Sequence, residues 1–373
     1  MDTYNMSNAV RYEPKKSVFD EIIDFYKGSD NKIELWIWGT GSVAAGITKK
    51  LVNYPQIQVS GYFVDVNGDY YVDDRLNYKK SCIATLDELI EKGNRINVIV
   101  GHSKYQIISE IENINIINKI WILPALARQD DGIDYKYYID HLPQFEKSSL
   151  LLTDNLSIEN LHCYLNAKIN KDELYLRDVE ISDYFDNDIF SLTDKELFID
   201  LGAFRGDTTD LFIKKANNYQ GIICFEILNN QYIELTNKYK DNSKITVSNL
   251  GLSDHNGIDY FIFDSQSSHI VEKKIENANA VEVVTLDSYL EETHINASLI
   301  KICIGKSIMP ILRGMSTILK KAKTRFIIHM GIDKSSLITV LDYINNISEE
   351  KYLFYLRFSA AMSECLILYA VPK

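Results

Sequence analysis

The stretch Glu196–Phe212, ELFIDLGAFRGDTTDLF, decides the fold. Leu197-Phe198-Ile199 has the length and bulk of a buried parallel strand. Gly202 and Gly206 then give the backbone turning freedom and close approach before a Thr/Asp-headed amphipathic run opens a helix near Asp207. The order is strand, glycine loop, helix. Amides at such a helix start form a polar cradle, and Asp200 at the strand end is placed to accept a hydrogen bond from a ligand amine or hydroxyl. Downstream, GIICFE reads as a second buried strand ending in Glu226, twenty-four residues after Gly202. A nucleotide-binding α/β unit usually places there the acid that takes ribose hydroxyls. The spacing predicts a cofactor carrying adenosine or a similar ribose. The competing reading makes Asp200 and Glu226 ordinary strand-end acids beside a structural turn.

The same order appears once more towards the N-terminus. A helix is expected from Ser17 to Tyr26, then IELWIWGTGSVAAGITKKL gives a strand, a GxGxxA turn and a helix, and QVSGYFVDVN gives a strand ending at Asp65. Further strands at Ile96 to Val100 and Lys119 to Leu123, with helices near Leu86 to Glu91 and Lys104 to Ile111, complete a small parallel sheet over residues 31–125. Gly39, Gly41 and Asp65 form a candidate nucleotide or sugar-nucleotide site. The alternative is a degenerate Rossmann-like domain serving packing, substrate capture or dimerisation, which would make the protein a homo-oligomer. No redox partner residues accompany this turn, so NAD-dependent hydride transfer is not expected. His102, the polar residue after the third strand, reads as a loop histidine.

Composition narrows the classes of partner. The chain has 373 residues, 46% hydrophobic and 25% charged, enough for two domains with cores of their own. Its 40 basic and 52 acidic residues leave a net charge of −12 without a basic stripe, which disfavours nucleic acid. The first residues lack the charged start, apolar core and cleavage site of a signal peptide, and no run approaches ~20 uninterrupted apolar residues, so a cytoplasmic protein without a membrane span is expected. Cys82, Cys163, Cys224, Cys303 and Cys365 are odd in number, scattered and without zinc spacing; they read as reduced thiols, mostly buried.

Residues 126–190, rich in Asp, Tyr and Asn, read as a folded connector whose tyrosines serve packing, with stacking on sugar rings as the alternative. From 191 to 373 the pattern continues as a helix at Asn230 to Tyr239, strands KITVSN and GIDYFIFD, the segment VEVVTLDSYLEE and the strand SLIKIC. A helix through PILRGMSTILKKA, the strand RFIIHM, a helix near Ser335 to Ile344 and two closing strands follow. Pro310 fits near the start of its helix. KYLFYLRF and ECLILYAVP suggest an antiparallel hairpin added to the edge of a parallel sheet.

FIDLGAFRGDTT, FEILNNQY, SNLGLSD, VVTLDSYL, LIKI and the closing strands, in this order, resemble the FkbM family of S-adenosylmethionine-dependent methyltransferases over residues 150–373. The N-terminal region is similar to the extra domain some members carry. The resemblance implies two Rossmann-like α/β domains, the second a class I methyltransferase fold with a seven-stranded, mostly parallel sheet ending in the hairpin. It also implies methylation of a hydroxyl on a saccharide, sugar nucleotide or small metabolite, with Asp200, Gly202 and Gly206 at the methionine end of S-adenosylmethionine and Glu226 at the ribose.

The departures are as informative. Where the family reads Ile-Lys-x-Asp-x-Glu-Gly-x-Glu, this chain reads IKICIGKSI, with Cys303, Gly305 and Ile308 in place of the acids. A thiol, a glycine and an isoleucine do not hold a hard cation, so no metal is expected there. His329, at the end of its strand, is the surviving candidate base, with a structural histidine as the alternative. Cys303 reads as a small buried hydrophobe. Two functions remain: a metal-free O-methyltransferase, and a non-catalytic descendant that keeps the fold as a ligand-binding or assembly module near glycan-modifying enzymes.

Overall fold

The computed structural model describes residues 6, 10, 12, 18–27, 33–65, 72, 76, 82–101, 111–122, 133–170, 172–176, 178–264, 267–271, 278–304, 308–330, 334–359 and 362–373. Near the N-terminus β1 (Glu34–Trp38), β2 (Gly61–Val64), β3 (Ile83–Thr85), β4 (Ile96–Val100) and β5 (Ile117–Ile122) form a parallel sheet in the order β3-β2-β1-β4-β5. Every residue of β2 and β4 is buried, as a parallel sheet covered on both faces requires. Strand β3 was not anticipated: its three residues are too short for an alternation to register. Thr85 ends it and caps the helix Leu86–Lys92, exchanging hydrogen bonds with Glu88 in a capping box. Most of the helix expected at Lys104 to Ile111, and His102 with it, lies outside the described residues.

The second sheet begins with β6 (Ile181–Ser182), β7 (Leu197–Leu201), β8 (Gly221–Phe225) and β9 (Ile245–Ser248). A separate four-stranded sheet follows, β10 (Gly251–Leu252), β11 (Gly257–Asp264), β12 (Ser267–Val271) and β13 (Asn279–Val284), in the order β10-β13-β11-β12. It buries Phe261, Val281 and Val283 against Ile227 and Leu228, directly after Glu226. Then come β14 (Leu299–Ile302), β15 (Arg325–His329), β16 (Tyr352–Ser359) and β17 (Met362–Pro372). The large sheet has eight strands in the order β6-β16-β17-β15-β14-β7-β8-β9.

The closing hairpin is present, but it is not simply appended. β17 inserts between β15 and β16 and runs antiparallel to both. Without the two-residue edge strand β6, seven strands remain, with one reversed member inside the sheet.

The single helix expected through PILRGMSTILKKA is two, Ile308–Arg313 and Ser316–Lys321. A Cβ at Gly314 would lie 2.0 Å from the Ser253 carbonyl oxygen, so the backbone passes there only as glycine. The second helix starts on the Asp287 carboxylate, which accepts from the Thr317 and Ile318 amides at 2.8 and 3.2 Å.

Tyr138, Phe145, Leu161, Tyr164 and Leu165, from the tyrosine-rich stretch between the two regions, belong to one hydrophobic cluster with Ile300, Phe326, Ile328 and Phe354 of the large sheet. Arg357 of β16 reaches back to that stretch. Its guanidinium is 2.6 Å from Asp154 Oδ2 and 2.9 Å from Ser157 Oγ, and Asn160 donates to the Leu356 carbonyl at 2.9 Å.

Candidate functional site

Three adjacent strands, β7, β14 and β15, end at one edge of the large sheet. Lys301 pairs in register with Asp200 on one side and Ile327 on the other. Side chains alternate faces along a strand, so Asp200, Lys301 and His329, two residues beyond Ile327, share a face. Open α/β folds place their ligands at this edge.

Asp200 is fully buried and both its oxygens are engaged within the protein. Lys301 Nζ lies 2.8 Å from Oδ1 and also donates to the Gly202 carbonyl at 2.9 Å; the Thr209 hydroxyl donates to Oδ2 at 2.9 Å. Burial works against the Lys301 ammonium, yet the Asp200 charge beside it prevails and holds its pKa above the ordinary lysine range. The carboxylate expected to face a cofactor amine faces inward. Sequence reasoning missed Lys301, and its signal was a cation inside the apolar run LIKI.

The glycine loop is shaped by what passes behind it. Gly202 has φ +76°, and a Cβ there would lie 2.2 Å from the Cys303 carbonyl oxygen. Gly206 has φ +80° and begins the helix Asp207–Lys215; its Cβ would meet the Tyr239 hydroxyl at 2.3 Å. That hydroxyl sits 2.8 Å from Asp210 Oδ1 and 3.1 Å from the Gly206 carbonyl oxygen. Both glycines are thus required by packing, whatever the loop binds. The Gly202 and Ala203 amides donate to the Phe225 carbonyl at 3.1 Å, and the Gly206 amide to Ala203 at 2.7 Å. These three loop amides, which precede the helix start of the expected cradle, are spent inside the chain.

Glu226 clasps the loop from the end of β8. Its Oε2 accepts the Phe204 amide and its Oε1 the Leu228 amide, both at 2.9 Å. Burial outweighs these two bonds and raises its pKa above the usual carboxylate range. Each oxygen retains a further lone pair for a hydroxyl donor. Phe204, at φ +50°, is 47% exposed, an aromatic ring presented at the loop surface.

His329 is 1% exposed, its ring 5.3 Å from that of Tyr184, and among the described residues neither ring nitrogen has a hydrogen-bonding partner. Burial lowers its pKa to about 4, so the imidazole is neutral at pH 7. Cys303 is half-buried, its thiol pKa raised by burial although Lys301 pulls the other way. Ile308 is buried at the start of its helix, and Gly305 lies outside the described residues. Among the described residues no group of three or more His, Cys, Asp or Glu is placed to hold a metal ion.

Of the other cysteines, Cys224 is buried and Cys82 and Cys163 are half-buried, all free, which corrects the expectation that most are buried; the Cys365 side chain lies outside those described. In the N-terminal sheet Gly39 has φ +108° and donates to the Phe63 carbonyl at 2.8 Å, Gly41 precedes the helix Ser42–Leu51 with open space about it, and Asp65 is exposed. No described helix is long and apolar enough to cross a membrane.

The strand order, with one reversed member beside the penultimate strand, together with the glycine loop and the acid after the second strand, defines a class I methyltransferase fold. The chain is similar over 96% of its length to the crystal structure of the methyltransferase FkbM from Methylobacillus flagellatus KT, covering 94% of that chain, with a TM-score of 0.62 and 18% identity. That coverage takes in the N-terminal sheet as well. An rRNA methylase from Streptococcus thermophilus (TM-score 0.31, 11% identity, 49% of this chain and 90% of the other) and an O-methyltransferase from Bacillus cereus (0.30, 10%, 66% and 99%) are more distant and add nothing to the assignment. No protein-family model and no curated protein sequence matches the chain.

Proposed function

We propose that the chain transfers a methyl group from S-adenosylmethionine to a hydroxyl of a saccharide, sugar nucleotide or related small metabolite, without a metal ion. The observation that carries the reading is Glu226, held against the glycine loop by the Phe204 amide, with a lone pair left on each oxygen. Glu226 would hold the ribose hydroxyls and the loop Gly202–Gly206 would border the methionine end; Asp200 would act through Lys301 and Gly202, as a support of the loop. The cofactor, when bound, supplies an electrophilic methyl on a sulfonium. Were an acceptor hydroxyl brought to this edge with the cofactor bound, its oxygen would take the methyl as the C–S bond breaks and a ring nitrogen of His329 would take its proton. Two features favour His329: its place at the sheet edge and its pair of unengaged nitrogens. Orientation of the acceptor and exclusion of water carry the rest.

The inward-facing Asp200 and the spent loop amides favour a second reading, a non-catalytic module that keeps the fold. Calorimetry with S-adenosylmethionine and S-adenosylhomocysteine separates the two from a protein that does not use this cofactor. Heat with either compound supports a cofactor site, and turnover on sugar acceptors then distinguishes enzyme from module. No heat with either at about millimolar concentration overturns the cofactor assignment.

A further inference from the structure

His329 lies beneath a single layer of chain. Residues 183–191 cross the face of the large sheet that carries it, with Asp183, Asn187 and Asp188 exposed and with Tyr184 and Phe185 turned inward, 3% and 2% exposed. Tyr184, Phe185 and Phe190 share a hydrophobic cluster with Phe198, Leu299 and Ile327. Those three stand two positions before Asp200, Lys301 and His329 on β7, β14 and β15, and so on the same face. The Tyr184 ring rests against the imidazole, with centroids 5.3 Å apart and planes tilted by 33°.

The backbone is fastened on both sides of Tyr184. Before it, the Asp183 carboxylate meets Lys215 Nζ at 2.6 Å, and the Tyr369 hydroxyl is shared between the Asp183 and Tyr184 carbonyl oxygens at 3.2 and 3.3 Å. After it, the Phe185 ring packs edge-on against Phe198 and Phe212, at 5.8 and 5.5 Å between centroids. The Ile189 and Phe190 amides donate to the Asp186 carbonyl at 3.1 and 3.0 Å, and Arg325 donates to the Ser191 carbonyl at 3.1 Å. Rotation about the Tyr184 Cα–Cβ bond moves the ring and leaves all of these fastenings intact, a change of side-chain rotamer and not an unfolding of the segment.

The imidazole supplies the reason for such a movement. Both its nitrogens are buried with no hydrogen-bonding partner among the described residues, and a polar group buried in this way costs the fold its desolvation. Packing alone would be served better by an apolar side chain of similar volume. We infer that Tyr184 is a gate over His329, whose ring turns outward to admit an acceptor hydroxyl to the imidazole and covers it in the conformation of this structure. The inference rests on the reading of His329 as the group that faces the acceptor. Closed, the ring keeps bulk water away and the imidazole stays neutral, the form that takes up a proton.

The test is labelling of the full chain by diethyl pyrocarbonate near neutral pH, without cofactor or acceptor, with the modified histidines located by peptide mass spectrometry. A ring nitrogen of His329 attacks a carbonyl carbon of the reagent and ethyl carbonate leaves with the ring proton, so modification reports each opening. In the native protein the rate at His329 should be slow, yet change by less than about twofold in about 1 M urea, because one turning ring exposes little surface; labelling that waits for unfolding would rise roughly tenfold or more. Tyr184→Ala and Tyr184→Leu should each speed it about tenfold with the same weak urea dependence, and Tyr184→Phe, which keeps the ring, should stay within about twofold of the native rate. Two results overturn the proposal. Labelling of native His329 that follows global unfolding, a measurement that needs no variant, would make Tyr184 a fixed part of the core. Urea-insensitive labelling that neither truncation accelerates would place the opening elsewhere. Neither methyl donor nor acceptor is present, so this outcome is independent of the calorimetry: a gate can operate in a chain that binds no S-adenosylmethionine, and the cofactor can bind beside a ring that never opens.

Discussion

Lys301 Nζ lies 2.8 Å from Asp200 Oδ1 with both side chains buried, and the same ammonium holds the Gly202 carbonyl at 2.9 Å. One cation thus ties the end of β14 to the glycine loop at the end of β7. Removing a single partner leaves the other charge buried and uncompensated, so Lys301→Met should cost about 3–5 kcal/mol of stability. Urea unfolding measures this. The Lys301→Met/Asp200→Val double variant should recover a substantial part of the loss, and a double variant no more stable than the single would show that the pair is not the cause.

His329 makes the protein sensitive to mild acid. Its pKa falls to about 4 in the folded chain, against an ordinary value near 6.5, so between those limits the unfolded chain binds more protons. Stability from this group is complete above pH 6.5 and declines as the pH drops, by at most ~1.4 kcal/mol per unit, until the folded imidazole protonates. His329→Leu should flatten that part of the curve of stability against pH. If the protein is an enzyme, His329→Ala should lower turnover by roughly two to four orders of magnitude and leave cofactor affinity within about tenfold.

Glu226→Ala should weaken S-adenosylmethionine or S-adenosylhomocysteine binding by about 1–3 kcal/mol, because ribose donors lose their acceptor. Its raised pKa sets the direction with pH: as the pH falls through it, the carboxylate protonates and cofactor affinity declines, at a higher pH than an exposed glutamate would give. Titrations at several pH values check both, and a pH-independent Kd in the native protein would remove Glu226 from the site.

Any methyl transfer should persist in EDTA. Cys303, Gly305 and Ile308 stand where acids would be expected and offer no side-chain oxygen of the kind a hard cation takes, and cofactor affinity should be nearly independent of magnesium. Activity that collapses on chelation would place a metal in the reaction.

Gly314→Ala should destabilise the fold by about 1–3 kcal/mol, because its Cβ would fall 2.0 Å from backbone that does not move freely. Thermal unfolding reads the effect, and a variant with unchanged Tm would show that Ser253 can give way.

Much of this architecture was written locally. Apolar runs of strand length, glycines at their ends and acids at fixed spacing marked β1, β2, β7 and β8, because burial on both faces and tight turns constrain residues within a few positions of each other. The same local logic marked His329 and Glu226 as strand-end residues. It could not decide which way Asp200 faces, since the cation that turns it inward stands 101 residues further along the chain. Nor could it seat β17 between β15 and β16, or break the helix at Gly314, where the obstacle is a carbonyl oxygen from Ser253. Sequence pattern determined the elements and their order, because propensity and periodicity act between near neighbours. Tertiary structure decided which polar groups remain free for a ligand, because desolvation and hydrogen bonding are settled only when distant strands meet.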